Sequence, residues 1–229
     1  MSIKPIKLLS HATGPNAYKV AMVMEELSVP YVIENWEFKD MHTPTFKKYN
    51  PNGKVPVIID PNQNDLVLWE SGAIIEYLSD MYDRNSIMTP TTLQEKYQAR
   101  QWLHFQTSGQ GPYFGQASWF TLFHPEKLPS ARVRYIKEIQ RITKVIDSAL
   151  QGREWLVGGQ CTYADIALVP WYSIPPHLDT EESGFWKETL EECQHFQAWL
   201  ERLNSRPSII KVNQMKAAAR VAVKGKSDH

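Results

Sequence analysis

Only two cysteines occur in the 229 residues, Cys161 and Cys193. They form neither a C-x-x-C pair nor a metal-ligand spacing, which speaks against a disulfide framework and against a metal site, and two buried thiols are expected instead. An excess of charge of one sign is missing as well. Twenty-five Lys and Arg balance 25 Asp and Glu, with no long single-sign block, which argues against nucleic acid or an anionic membrane as the main partner. No apolar run approaches the roughly 20 residues that a membrane span needs, and Met1 to Lys7 lacks the apolar centre of a signal peptide, so a cytoplasmic chain is expected. Internal repeats and long Gln/Asn-rich or Gly/Ser-rich segments are also absent. What is present is an ordinary share of hydrophobic residues, 42%, in a chain long enough for one large domain or two small ones. Such a chain is expected to work on a small molecule.

The first third alternates between two periodicities. Ile6 to Leu9 has strand composition, and Val20, Val23, Met24 and Leu27 then fall at i, i+3, i+4 and i+7, the face of an amphipathic helix. Tyr31 to Trp36 returns to strand composition. A short helix from Thr43 to Tyr49 leads into strands Val55 to Ile59 and Leu66 to Trp69, separated by a Pro- and Asn-rich turn over 60–65. A helix from Ser71 to Tyr82 closes the pattern, so the order is βαβαββα. After it, 84–90 reads as a linker, and everything beyond is helical. The expected organisation is an α+β domain over 1–83 and an all-α domain over 91–229.

Within the helical part, Thr91 to Phe123 is one long pattern with a kink or break expected at Gly109-Gln110-Gly111-Pro112, because proline removes a ladder bond and clashes with the preceding turn. Leu128 to Gln151 follows. Thr162-Tyr163-Ala164-Asp165 has the form of a capping box, and Pro175-Pro176 is expected to end the helix it opens. Glu188 to Asn204 and Pro207 to Lys216 are the last helical stretches, ahead of a tail expected to fray.

Two motifs carry chemistry. Val55-Pro56, in Asn-Pro-Asn-Gly-Lys-Val-Pro-Val, is an X-Pro bond between a turn and a strand and a candidate cis peptide, which would turn the N–H and C=O of Val55 outward to pair with an extended ligand. Glu70-Ser71 follows a strand and opens a helix. Ser71 and the helix N-terminus suit a carboxylate, while Glu70 suits an ammonium group. A γ-glutamyl peptide carries both groups on one carbon.

With a helical domain behind it, this arrangement resembles the cytosolic glutathione transferases. Asn50 to Pro56 resembles their cis-proline loop, Leu68 to Ile74 their γ-glutamyl site, and Thr162 to Asp165 the capping box of their helical domain. The resemblance runs from about Lys7 to about Lys211. Ser10 to Asn16, Gln101 to Gly109 and Arg132 to Tyr135 further resemble the fungal nitrogen-regulatory, prion-forming group and its bacterial relatives, the Nu class. No Asn/Gln-rich segment precedes the first strand here, so the prion-type role loses its main support.

The resemblance implies a thioredoxin-like first domain, glutathione as co-substrate without a metal, and a homodimer. It also implies an apolar electrophile, a hydroperoxide or a disulfide as second substrate. A free thiol has a pKa near about 8.5, so the enzyme must favour the thiolate. The turn Thr13-Gly14-Pro15-Asn16 opens a helix whose N–H groups and dipole favour an anion. In the resembling group the position of Asn16 contacts the glutathione sulfur; Thr13 is the rival donor, with Ser10 and Tyr18 nearby. No cysteine stands at this turn, so peroxidase or disulfide-reductase chemistry must use the thiol of bound glutathione. His42, helped by Lys54, is the cation the resemblance points to for the glycyl carboxylate, and Arg134 matches a helical-domain arginine of the bacterial relatives. Surface solvation is the competing role for His42, Lys54 and Arg134. Trp102, Phe105, Tyr113, Phe114, Trp119 and Phe120 supply either an apolar substrate wall or core. A non-catalytic regulator that binds glutathione and sequesters a transcription factor of nitrogen metabolism is the alternative function.

Overall fold

The computed structural model describes residues 3–180 and 183–227, with the side chains of the final helix described to residue 222. By contact the chain divides into two units, 1–89 with 205–229, and 90–204.

The first unit is built on strands β1 (Ile6–Ser10), β2 (Tyr31–Asn35), β3 (Val57–Asp60) and β4 (Leu66–Trp69) in the order β2-β1-β3-β4. β1 runs parallel to β2 and antiparallel to β3, and β3 is antiparallel to β4. Helices α1 (Pro15–Glu26), α2 (Pro44–Lys47) and α3 (Ser71–Tyr82) complete the βαβαββα order expected from the sequence. Ile6 and Leu8 of β1 and Ile58 of β3 are buried, as are Val20, Val23 and Met24 of α1 and Ile74, Ile75 and Leu78 of α3, while Leu9 and Val57 form a cluster with Met41 and Phe46. The central strands are therefore apolar on both faces, which is why they read as short apolar runs.

The last helix, α11 (Pro207–Ser227), also belongs to this unit, whereas the sequence places it with the helical domain. Arg206 grips Glu26 of α1 with two parallel bonds, Nε to Oε1 at 2.7 Å and Nη2 to Oε2 at 2.6 Å, and Ser208 Oγ donates to the same carboxylate. Burial alone would raise the Glu26 pKa, but these partners outweigh it and hold the carboxyl below its usual range. The tail expected to fray continues α11 to Ser227, and its last two residues lie outside the described residues. The segment 84–90 is no loose connector: buried Asp83 accepts from the N–H groups of Ile87, Met88 and Thr89 at 2.6–2.9 Å.

The second unit holds α4 (Leu93–Phe105), α5 (Gly111–Ser118), α6 (Pro129–Ala149), α7 (Tyr163–Leu168), α8 (Pro175–Leu178), α9 (Phe185–Glu192) and α10 (Gln194–Asn204). Where a kink or break was expected around Pro112, the chain stays helical and widens into a π turn over Gln106–Gln110. The Gly111 N–H reaches back five residues to Gln106 O, so the ladder shifts before it meets the proline. A second π turn covers Trp119–Phe123. Pro175 starts α8 rather than ending α7, because α7 has already tightened into a 3-10 turn at Val169–Ser173, and proline suits a first helical turn. The stretch Glu188 to Asn204 is two helices, broken at Cys193, whose ψ of 68° leaves the helical region.

The capping box is present in full. Thr162 Oγ1 accepts from the Ala164 N–H, and Asp165 accepts from Thr162 N–H at 2.9 Å, Leu156 N–H at 3.0 Å and Trp199 Nε1 at 2.9 Å. Cys161 and Cys193 form no disulfide and are buried, and burial beside Asp147 pushes the Cys193 thiol up.

Candidate glutathione site at the end of the sheet

Strand register gathers the site. Leu9 pairs with Val57 and Val57 with Trp69. Continuing both antiparallel registers by two residues sets His11, Val55 and Ser71 side by side, just past the ends of β1, β3 and β4. The first turn closes on that row: a Cβ added to Gly14 would sit 3.7 Å from Val55 Cγ2 and 3.6 Å from His11 O.

The Val55–Pro56 bond is cis, as the sequence suggested. Its loop is braced from within, since buried Asn50 donates from Nδ2 to Lys54 O at 2.7 Å and accepts the Asn52 N–H at 2.9 Å. Among the described residues, the Val55 N–H and C=O enter no turn, loop or capping hydrogen bond. The Val55 side chain packs against the cluster of Leu9, Met41, Phe46 and Val57, which fixes the loop to the sheet. Gly53 has φ +65°, and a Cβ there would lie 3.0 Å from Met41 O and 3.1 Å from His42 Nδ1, so only glycine allows the loop to meet the 3-10 turn Asp40–His42 this closely. That approach brings His42 to the loop. His42 and Lys54 are both exposed.

Glu70 takes φ +71° and ψ 113° at the passage from β4 into α3, a conformation that costs a non-glycine residue on the order of 1–3 kcal/mol. Its carbonyl accepts the Ile74 N–H, and its side chain is exposed, while Ser71 at the first helical position is 4% exposed. No side chain caps α3 and no acidic residue lies in its first turn. The same holds for α1, which starts from Gly14 with Pro15 in the first turn. Two 12-residue helices thus point N-termini without side-chain caps toward one end of the sheet, where aligned N–H groups favour anions.

The rival donors at the first turn have their protons committed. Thr13 N–H donates to His11 Nδ1 at 3.2 Å, and the Thr13 hydroxyl makes a 2.9 Å hydrogen bond with the same nitrogen. Burial lowers the His11 pKa against the pull of Glu37, so the ring is neutral. Ser10 Oγ donates to His11 O, and Tyr18, buried and with its pKa raised by burial, donates to Ala12 O at 3.2 Å. Half-buried Asn16, second residue of α1, carries an amide with two donors.

Two residues here were not singled out from the sequence. His11 organises the turn through Thr13 and stacks on Phe38 at 3.8 Å between ring centroids. Lys19 is fully buried in α1, and burial, opposed by the charge of Glu70, lowers its pKa to about 7. The available signal was a lone cation inside the apolar run Ala17 to Met24. Arg134 is exposed on α6 in the helical unit. Of the six aromatics, Phe114 is core, edge-on to buried Tyr172, whereas Trp119 is half exposed. Among the described residues no group of three or more His, Cys, Asp or Glu could hold a metal, and no helix is long and apolar enough to cross a membrane.

A thioredoxin-like unit with a cis-proline loop, an acidic residue at a helix start and a separate helical unit defines a glutathione transferase architecture. Residues 13–81 match the glutathione S-transferase N-terminal domain family and residues 112–207 its C-terminal domain family. The chain belongs to the glutathione S-transferase family. It is 43% identical over 218 residues to the glutathione S-transferase-like protein tpcF of Aspergillus fumigatus, a match covering 91% of this chain and 95% of that protein. Among solved structures it is similar to the glutathione transferase URE2P6 of Phanerochaete chrysosporium in complex with oxidised glutathione, with a TM-score of 0.87, 41% identity and coverage of 94% and 98% of the two chains. Ure2p5 of the same organism, cocrystallised with 1-(S-glutathionyl)-2,4-dinitrobenzene, has a TM-score of 0.87, 37% identity and coverage of 96% and 98%.

Proposed function

We propose that this protein binds glutathione along the row at the sheet end, stabilises its thiolate with Asn16, and delivers the sulfur to an apolar electrophile, a hydroperoxide or a disulfide. Val55, just after the cis-proline loop's Lys54 and before Pro56, pairs its backbone with the cysteinyl segment. Glu70 takes the γ-glutamyl ammonium, and Ser71 with the α3 N-terminus takes the adjacent carboxylate. His42, with Lys54 beside it, meets the glycyl carboxylate.

The observation that carries the role of Asn16 is its place, half-buried and second in the uncapped helix α1, at the turn that closes on Val55. The thiolate is then held by the uncapped start of α1 and one neutral amide, a modest stabilisation of about 1–2 kcal/mol in all. In transfer to an aryl halide, the C–S bond forms as halide leaves. Reduction of a hydroperoxide consumes two glutathiones and yields an alcohol, water and glutathione disulfide. A relative bound to a dinitrobenzene conjugate and another bound to oxidised glutathione support both outcomes for this chain. For Thr13 the reading is positional, through His11; for Arg134 and the homodimer the support is resemblance.

Calorimetric titration with reduced and oxidised glutathione, followed in the same preparation by aryl-halide, peroxidase and disulfide-reductase assays, tests this. Saturable binding with turnover of at least one class is expected. Binding without turnover would favour the regulatory role, and absence of binding would overturn the site.

A further inference from the structure

Between β2 and α2 the chain makes a tight turn whose ends are fixed and whose middle stands clear. Trp36 N–H donates to Ser10 O at 2.8 Å, which ties the start of the turn to the end of β1. Glu37 O accepts the N–H groups of Asp40 and Met41, and Met41 is set into the cluster of Leu9, Phe46 and Val57. Phe38, between these anchors, is 63% exposed and so takes no part in the core. Its ring lies instead on buried His11, 3.8 Å between centroids and 31° from parallel.

His11 carries that contact into the first turn. Its Nδ1 accepts the Thr13 N–H at 3.2 Å and shares a 2.9 Å hydrogen bond with the Thr13 hydroxyl, and its carbonyl accepts the Gly14 N–H at 3.0 Å. The stretch that leads to Asn16 is therefore held by one residue, and that residue is stacked on Phe38. In the other direction, Phe38 and His42 stand four residues apart on the same turn, and His42 lies against the cis-proline loop, where a Cβ on Gly53 would meet its Nδ1 at 3.1 Å. A short path runs from His42 to Thr13, made of one backbone turn, one ring stack and one pair of hydrogen bonds, all within the sheet unit. A path of that kind lets binding at a remote part of a substrate be spent on orienting the reacting atom.

We propose that Phe38, acting through His11, is a positioning residue that couples the grip on the glycyl carboxylate of glutathione to the placement of its sulfur at Asn16. The inference rests on the glutathione reading above and deepens it: the glycine of glutathione serves the rate of the sulfur step as well as affinity.

The test compares glutathione with γ-glutamylcysteine, which lacks the glycine, at saturating thiol with an aryl halide and with a hydroperoxide. Titration of the parent with glutathione comes first, and absence of binding there would overturn the glutathione site, and this inference with it, before any variant is made. The parent is expected to use γ-glutamylcysteine with kcat lower by about tenfold or more. Phe38→Ala, at an exposed position, should retain the thermal melt and lower kcat for glutathione by about tenfold with either electrophile, while kcat for γ-glutamylcysteine changes by less than about twofold. Phe38→Trp keeps a ring over His11 and should stay within about twofold of the parent. His42→Ala should lower kcat for glutathione as Phe38→Ala does, and the double variant should lose no more than either alone. Equal kcat for the two thiols in the parent, a Phe38→Ala loss that is the same for both thiols or appears with only one electrophile, a change confined to KM, or losses that multiply in the double variant would overturn the coupling.

Discussion

Helix α7 and helix α1 begin in opposite ways. At α7 the start is closed from within: Thr162 and Asp165 cap each other's ends, and Asp165 also holds Leu156 and Trp199. At α1 the chain enters through Gly14 and Pro15, with no side chain capping the first turn, and buries Lys19 within reach of the charge of Glu70. α3 begins as openly as α1, and spends backbone strain at Glu70 as well. The contrast separates a helix start closed by its own side chains from two left open at the end of the sheet. Stability favours the closed arrangement, and binding an anion requires the open one.

The largest effect should come from opening the closed start. Asp165→Ala removes the capping box and strands the buried N–H groups of Leu156 and Trp199, so a loss of roughly 3–5 kcal/mol in urea unfolding is expected, with unchanged glutathione affinity in the folded fraction.

The buried cation of α1 should give a pH signature. With a folded pKa of about 7 against an ordinary 10.5, Lys19 takes up its proton less readily when folded, so the unfolded chain holds more protons between those values. Its penalty is therefore full below about pH 7 and fades as pH rises toward 10.5. Melts of parent and Lys19→Met across that window should show the parent gaining on the variant as pH rises. A constant difference would mean that Lys19 does not titrate there.

Asn16→Ala should lower kcat/KM by about tenfold, equivalent to about 1.4 kcal/mol, while the melting temperature moves by no more than about 2 °C. An unchanged kcat/KM with aryl halides, peroxides and disulfides alike would sink its role. The smallest stability change, and the sharpest test of the contrast, comes from closing the open start. Gly14 sits in an extended conformation with only ordinary contacts waiting for a Cβ, so Gly14→Asp can cap α1. A gain of roughly 0.5–1 kcal/mol is expected, and the added carboxylate should abolish thiolate chemistry at the same end.

How legible each of these regions was in the sequence follows from the range of the forces involved. The strands, the helix Ser71–Tyr82, the cis bond at Val55 and the capping box at Thr162 depend on residues a few positions apart, and the structure carries all of them. The motifs around Val55 and Glu70 were visible for the same reason, and the register of three strands then places them together. The commitment of Thr13 to His11, the burial of Lys19 and the packing of α11 on α1 depend on neighbours that no local pattern reveals. Proline acts as no plain stop at two places. Pro112 follows a wider turn rather than a break, and Pro175 stands at a helix start, where its missing N–H is no loss.

The grip of Arg206 on Glu26 spans 180 positions of sequence, and so the sheet unit is closed by the last helix of the chain. During synthesis the strands emerge from the ribosome first, yet they must wait for α11 before their unit is whole. The helical unit, continuous from Pro90 to Asn204, has no such debt to later residues. The order of translation and the order of completion are therefore reversed: the half made second is the half that can finish first.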